Sequence, residues 1–228
     1  QVSSEQIEDT MSMLSEVGIN VVENEETEDT NTEVEVSVLS IPQLTQPGVV
    51  EDKNQLPSFI YRAHESELNP SELTLPWHTE SGILTGNIAR HLGSKTPIRL
   101  VSSAKSWLCH GGVDRHEAFL PMGSPEEVSK ISPLNATIEY LSHLRHAWDH
   151  KFPENVLSEQ NVTITIPASF DPAARELTAE AANQLNLILL QVPVLDYHWL
   201  RILLSCIKAD TLLKVNLEKA QLLELLFQ

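Results

Sequence analysis

Three groups of side chains in this sequence have the types and spacing to do chemistry. Ser102 and Lys105 stand three residues apart in Ser102-Ser103-Ala104-Lys105. One helical turn would bring the amine to the hydroxyl, where it could take the proton as the serine attacks. The S-D-N and K-T-G segments that complete such a site do not occur downstream, and a four-residue match is common by chance. His143, His146 and His150 fall at i, i+3 and i+7, near one face of a helix, where imidazoles could take zinc. No cysteine or carboxylate pattern completes that set, so a solvated helix face is the expectation. Cys109-His110 and His116 lie around Gly111-Gly112, and a polar surface turn explains them more simply than a metal. Lys105 closes a short apolar strand, and there it can be a surface charge, a nucleophile's partner or a phosphate ligand. Neither G-x-x-x-x-G-K-[ST] nor G-x-G-x-x-G is present.

These residues must be positioned by elements that the pattern predicts. Alternation over 33–41 (EVEVSVLSI) predicts a strand, with Pro42 and Pro47-Gly48 bounding a turn. LPSFIYR (56–62) reads as a second strand, and 63–80 as a Pro-interrupted loop. GILTGNIARHL (82–92) reads as strand, glycine turn and short helix. Residues 98–108 read as a strand and a helical turn carrying Lys105 and Trp107. Pro133–Lys151 is a strong amphipathic helix, its stripe Leu134, Ile138, Leu141, Leu144 and Trp148. NVTITIP (161–167) is a strand ending at proline. Asp171-Pro172 starts a helix over 172–183, and LNLILLQVP (185–193) is a buried strand. Residues 195–228 are Leu-rich with helical period. At the other end Ser3-Ser4-Glu5-Gln6 opens a helix over about 4–17, and Gly18 stops it. The acidic linker Glu23–Asn31 has little to bury and is expected to be mobile. The alternating order favours an α/β architecture.

Charge is distributed unevenly. The chain has 228 residues and a formal charge of −17, yet its first 52 residues hold 13 acidic side chains and no Lys or Arg. The rest is nearly balanced, with 19 acidic and 15 basic residues. An acidic segment repels a phosphate backbone, which argues against direct nucleic-acid binding; it suits a basic partner instead. The two cysteines, Cys109 and Cys206, form no disulfide framework, and a reducing cytoplasm is expected. The most apolar run, Leu185 to Leu204, is broken by Asn186, Gln191, Pro193, Asp196, His198 and Arg201, so no membrane span is expected.

From about 33 to 200 the chain resembles the nucleotide-binding domain of the heat-shock protein 70 (DnaK-type) chaperone family, in a divergent, bacterial form. LPSFIYR is similar to its T-P-S-x-V strand, LTGNIARHL (84–92) to L-x-G-x-x-A, and LVSSAKSWL (100–108) to its A-K-R-L-I-G segment. VTITIPASFDPAARELTAEAA (162–182) follows V-x-T-V-P-A-x-F-x-x-x-Q-R-x-x-T-x-x-A, the most specific piece. LILLQVPVLDYHWL (187–200) follows L-x-x-I-N-E-P-T-A-A-x-x-A-Y. The resemblance implies a partial actin-like (ribonuclease-H-like) ATPase domain that binds ATP or ADP with Mg²⁺ and serves unfolded clients and co-chaperones. It places Lys105 on the γ-phosphate and attacking water, as both catalytic and nucleotide-binding residue. A compact cation suits a phosphate that gains charge. No other site residue carries over. The family's G-I-D-L-G-T-T hairpin has no counterpart, its catalytic glutamate is Val192 before Pro193, and its D-x-G-G-G-T loop is absent. The expectation is therefore little or no ATPase activity.

VSSEQIEDTMSMLSEVGINVVENEETED (2–29) resembles the last helix and acidic linker of region 1.1 of bacterial primary sigma factors, through Q-I-E-D-x-x-x-M-x-x-x-x-G-I-x-V. In that family the region occupies the DNA channel of RNA polymerase. The terminal LELLFQ differs by one residue from the protease-recognition sequence LEVLFQ; an engineered scar and a natural Leu-rich helix end both account for it. The sequence thus divides into an acidic helix and linker (1–32), a partial actin-like α/β ATPase domain (33–200) and a Leu-rich helical segment (201–228) prone to self-association. Three functions follow: a divergent ATP-binding chaperone fragment; a non-catalytic interaction protein whose acidic arm docks on a basic partner such as RNA polymerase; or a product without selected function.

Overall fold

A computed structural model describes residues 38–64, 67–77, 82–167, 169–191, 194–195 and 220–223. Nearly all of these residues belong to one compact unit, 37–194 with 221–228. Strands β1 (Ile41–Gln46) and β2 (Val49–Lys53) make an antiparallel hairpin about Pro47-Gly48. β3 (Ile60–Arg62) is the centre of a second antiparallel sheet, between β4 (Ile83–Thr85) and β5 (Leu100–Val101). Ile60 is the pivot of its register, facing Thr85 on one side and Val101 on the other.

Helices follow from local chemistry. α1 (Asn87–Lys95) starts at Gly86, whose φ of +76° few L residues adopt. Its cap comes from β1: the buried Gln43 accepts hydrogen bonds at Oε1 from the Asn87 backbone N–H and Nδ2. α2 (Ala104–Leu108) is one turn and a half, pinned by its buried ends Ala104 and Leu108. α3 (Pro133–Lys151) and α4 (Pro172–Gln184) use one device twice. Proline occupies the first turn, where no N–H is needed. The preceding Ser132 accepts from Asn135 N at 3.0 Å, and Asp171 accepts from Ala174 N at 2.7 Å. β6 (Asn161–Ile164) and β8 (Ile188–Gln191) run parallel, with α4 as the crossover between them. β7 (Ile166–Pro167) and β9 (Val194–Leu195) are two-residue strands, and β10 (Ala220–Leu223) flanks β6 on the side away from β8.

The main core lies where α3 and α4 meet β6: Leu141, Trp148, Val162, Ile164, Leu177 and Ala181 are buried together. A second cluster joins β1, β3, β4 and α1 through Leu44, Tyr61, Leu84 and Ile88. The described residues are therefore mixed α/β on small sheets of two and three strands.

Several expectations are corrected. The first strand begins at Ile41 rather than spanning 33–41; 33–37 lie outside the described residues and 38–40 are not strand. Pro42 does not bound a turn but sits inside β1 opposite Asp52; a two-strand hairpin can spare that N–H. The strand expected over 56–62 is only Ile60–Arg62, and the 161–167 strand is split into β6 and β7. The strand expected over 185–193 starts at Ile188, because Leu185-Asn186 turn, with Asn186 at φ 54°. Ala220–Leu223 is a strand, not part of a C-terminal helix. The helix expected over 4–17, the acidic linker and the Leu-rich stretch 201–219 lie outside the described residues.

Candidate functional site

Lys105 sits on α2 immediately after β5, with its side chain half-buried. Its Nζ lies 6.0 Å from the centre of the Phe170 ring. Burial pulls the ammonium below the ordinary lysine range, and the neighbouring Cys109 partly offsets this. Lys105 lines a cavity of about 20 Å³, together with Thr137 and Tyr140 of α3 and Thr178 of α4. Both threonines turn their hydroxyls back onto their own helices, Thr137 to Pro133 O at 3.0 Å and Thr178 to Ala174 O at 2.8 Å.

The serine–lysine pair is not assembled. Ser102 is exposed and lines a separate groove beside β5, while Lys105 lines the small cavity against α3 and α4. The cavity beside Lys105, about 20 Å³, is far smaller than the several hundred Å³ of ligand pockets. Val192 and Pro193 lie outside the described residues.

The three histidines have different fates. His146 and His150 are exposed, but His143 is buried, which corrects the expectation of a solvated face. The cause is Trp77. Its ring meets His143 edge-on at 5.1 Å, stacks on His146 at 6.1 Å and lies 6.2 Å from His150. His143 Nε2 lies 3.0 Å from the Pro42 carbonyl, and Nδ1 lies 3.0 Å from Thr85 Oγ1. A carbonyl only accepts, so the proton sits on Nε2, and Nδ1 receives the threonine O–H. Burial drives the imidazole pKa down to about 4; the Pro42 bond opposes that shift and His146 adds to it. Neutral His143 thus ties α3 to β1 and β4.

The other histidine cluster is a surface turn, as expected. His110 Nδ1 accepts from Gly112 N at 3.1 Å, and His116 approaches Glu180 at 3.3 Å. Burial pushes the Cys109 thiol up, with the Asp171 charge acting in the same direction. Among the described residues no group of three or more His, Cys, Asp or Glu is placed to hold a metal ion.

Sequence reasoning missed Arg115. Its guanidinium is buried and grips both carboxylate oxygens of Asp171, at 3.1 and 2.7 Å. Its carbonyl accepts from Leu134 N, at the start of α3. One arginine therefore fixes the first turns of both long helices. The pairing and the Ala174 bond hold Asp171 below the usual carboxylate range. No spacing rule links Arg115 to Asp171. Trp77 did leave a signal: a tryptophan in an otherwise polar loop has to find cover.

Comparison with known proteins bears on the other end of the chain. The family model described as Sigma-70 factor, region 1.1, matches residues 1–40. This agrees with the resemblance read over 2–29, and the match stops one residue before β1. No curated protein matches the chain.

Proposed function

We propose that this protein is a non-catalytic interaction module whose acidic N-terminal segment docks on a basic surface of RNA polymerase. The observation that carries the reading is the region 1.1 match over residues 1–40, the stretch that holds 11 acidic residues and no lysine or arginine. A segment of one sign gains affinity and association rate from a complementary channel. The folded unit, against whose core Leu39 already packs, then acts as a load carried by that arm. The test uses the intact chain. Replacing Glu23, Glu25, Glu26 and Glu28 by Gln and Asp29 by Asn should weaken binding to core RNA polymerase about tenfold or more. Unchanged affinity would refute the docking mode.

The second reading is the nucleotide-binding chaperone fragment, favoured by the desolvated Lys105 just beyond β5. It ranks below the first because the cavity beside that residue is far smaller than ligand pockets. Calorimetric titration with ATP, ADP and Mg²⁺ separates the two. Micromolar binding lost in Lys105→Ala would restore the chaperone reading.

A further inference from the structure

We propose that His146 and His150 chelate a divalent transition-metal ion across one turn of α3. Both residues are exposed, and they stand four positions apart on the same face of that helix. Residues at that spacing lie about 5–6 Å apart at Cβ. Two imidazoles leaning together from there can bring their nitrogens to one ion, each at about 2.0–2.1 Å.

The indole of Trp77 restrains the rings. It lies nearly parallel to His146, with 11° between the planes and 6.1 Å between centres, and its centre is 6.2 Å from that of His150. A metal ion meets an imidazole at the nitrogen lone pair, in the plane of the ring. Trp77 covers the flat side of His146 and leaves the edge of the ring open. A ring already held loses less freedom when it binds. Ser142 Oγ lies 3.4 Å from His146 Nδ1. That oxygen can accept the Nδ1 hydrogen, and the lone pair then sits on Nε2, the arrangement in which a histidine ligates through one nitrogen and is oriented through the other.

The neighbouring groups fix the ligand count. His143 is no third ligand, since its Nε2 is committed to Pro42 O and its Nδ1 to Thr85 Oγ1, each at 3.0 Å. Asp149, between the two histidines in sequence, is also engaged. It accepts from Leu157 N at 2.7 Å and pairs with the Arg145 guanidinium at 3.4 Å. Among the described residues the site is therefore a two-nitrogen chelate, with its other positions open to water. Imidazole nitrogens suit Cu²⁺ and Zn²⁺, and Cu²⁺ binds the tighter of the two. A chain of net charge −17 also concentrates cations around itself.

The probe is CuCl₂, titrated into the full chain in a non-chelating buffer and followed by calorimetry and electron paramagnetic resonance. Saturable binding is expected, with hyperfine splitting from two nitrogens at the tightest site. His146→Gln and His150→Gln, both at exposed positions, should each weaken that site about tenfold or more and reduce the splitting to one nitrogen. His116→Gln, in the surface turn beside α4, should leave it unchanged. No saturable binding, a tightest site that survives intact in both α3 variants, or one lost in His116→Gln instead would overturn the proposal.

Discussion

His143 carries the most specific prediction at the level of single residues. Its folded pKa of about 4 lies below the ordinary 6.5, so between these values the unfolded chain binds a proton that the native chain refuses. The stability that neutral His143 confers is complete above about pH 6.5 and is lost as pH falls towards 4. At about 1.4 kcal/mol per unit the loss amounts to roughly 3 kcal/mol. Two carboxylates titrate nearby with opposite signs. Asp171, held low by Arg115, also loses stability on acidification, at lower pH. Glu139, raised by burial, gains it. The His143→Gln variant isolates the histidine, because an amide keeps a donor and an acceptor but does not titrate. Denaturant melts at pH 7 and pH 4.5 should show a smaller difference in the variant than in the parent. Equal pH dependence in both would mean that His143 is already charged in the folded chain.

Elements are where sequence and structure agree best, and the exceptions are instructive. The helix over Pro133–Lys151 was legible to the residue, because a proline in the first turn and a five-residue apolar stripe point the same way; the Ser132 cap emerged only in the structure. The glycine turn at Gly86 and the asparto-proline start of α4 were equally plain. The strands were not: 38–40 and 56–59 were read as strand but are not paired, since pairing is set by the neighbouring strand. For the same reason the ties between elements were invisible: Gln43 on the start of α1, Arg115 on Asp171, Trp77 over the histidines. Each joins residues distant in sequence and follows no period. Two substitutions test the element starts. Ser132→Ala removes the α3 cap and should cost about 1 kcal/mol. Gly86→Ala should cost about 1–3 kcal/mol, since its Cβ would stand 2.6 Å from Gln43 Oε1 at a positive φ. Thermal melts check both. A Gly86→Ala variant as stable as the parent would mean that Gln43 can swing aside without losing the start of α1.

For the whole molecule, the acidic segment and the folded unit carry separate evidence. The folded unit is mixed α/β with a half-buried lysine beside a very small cavity, and that offers little support for phosphate chemistry. No helix among the described residues is long and apolar enough to cross a membrane. The function therefore rests on charge and on the region 1.1 match. Charge also says what to measure. Attraction between an acidic segment and a basic channel is screened as the Debye length shrinks from about 10 Å at 0.1 M salt to a few ångströms near 1 M. The decisive measurement is the affinity of the intact chain for core RNA polymerase across that salt range. Saturable binding that weakens at least tenfold between about 0.1 M and 0.5 M salt is the predicted result. No binding at low salt, or an affinity indifferent to salt, would contradict the account.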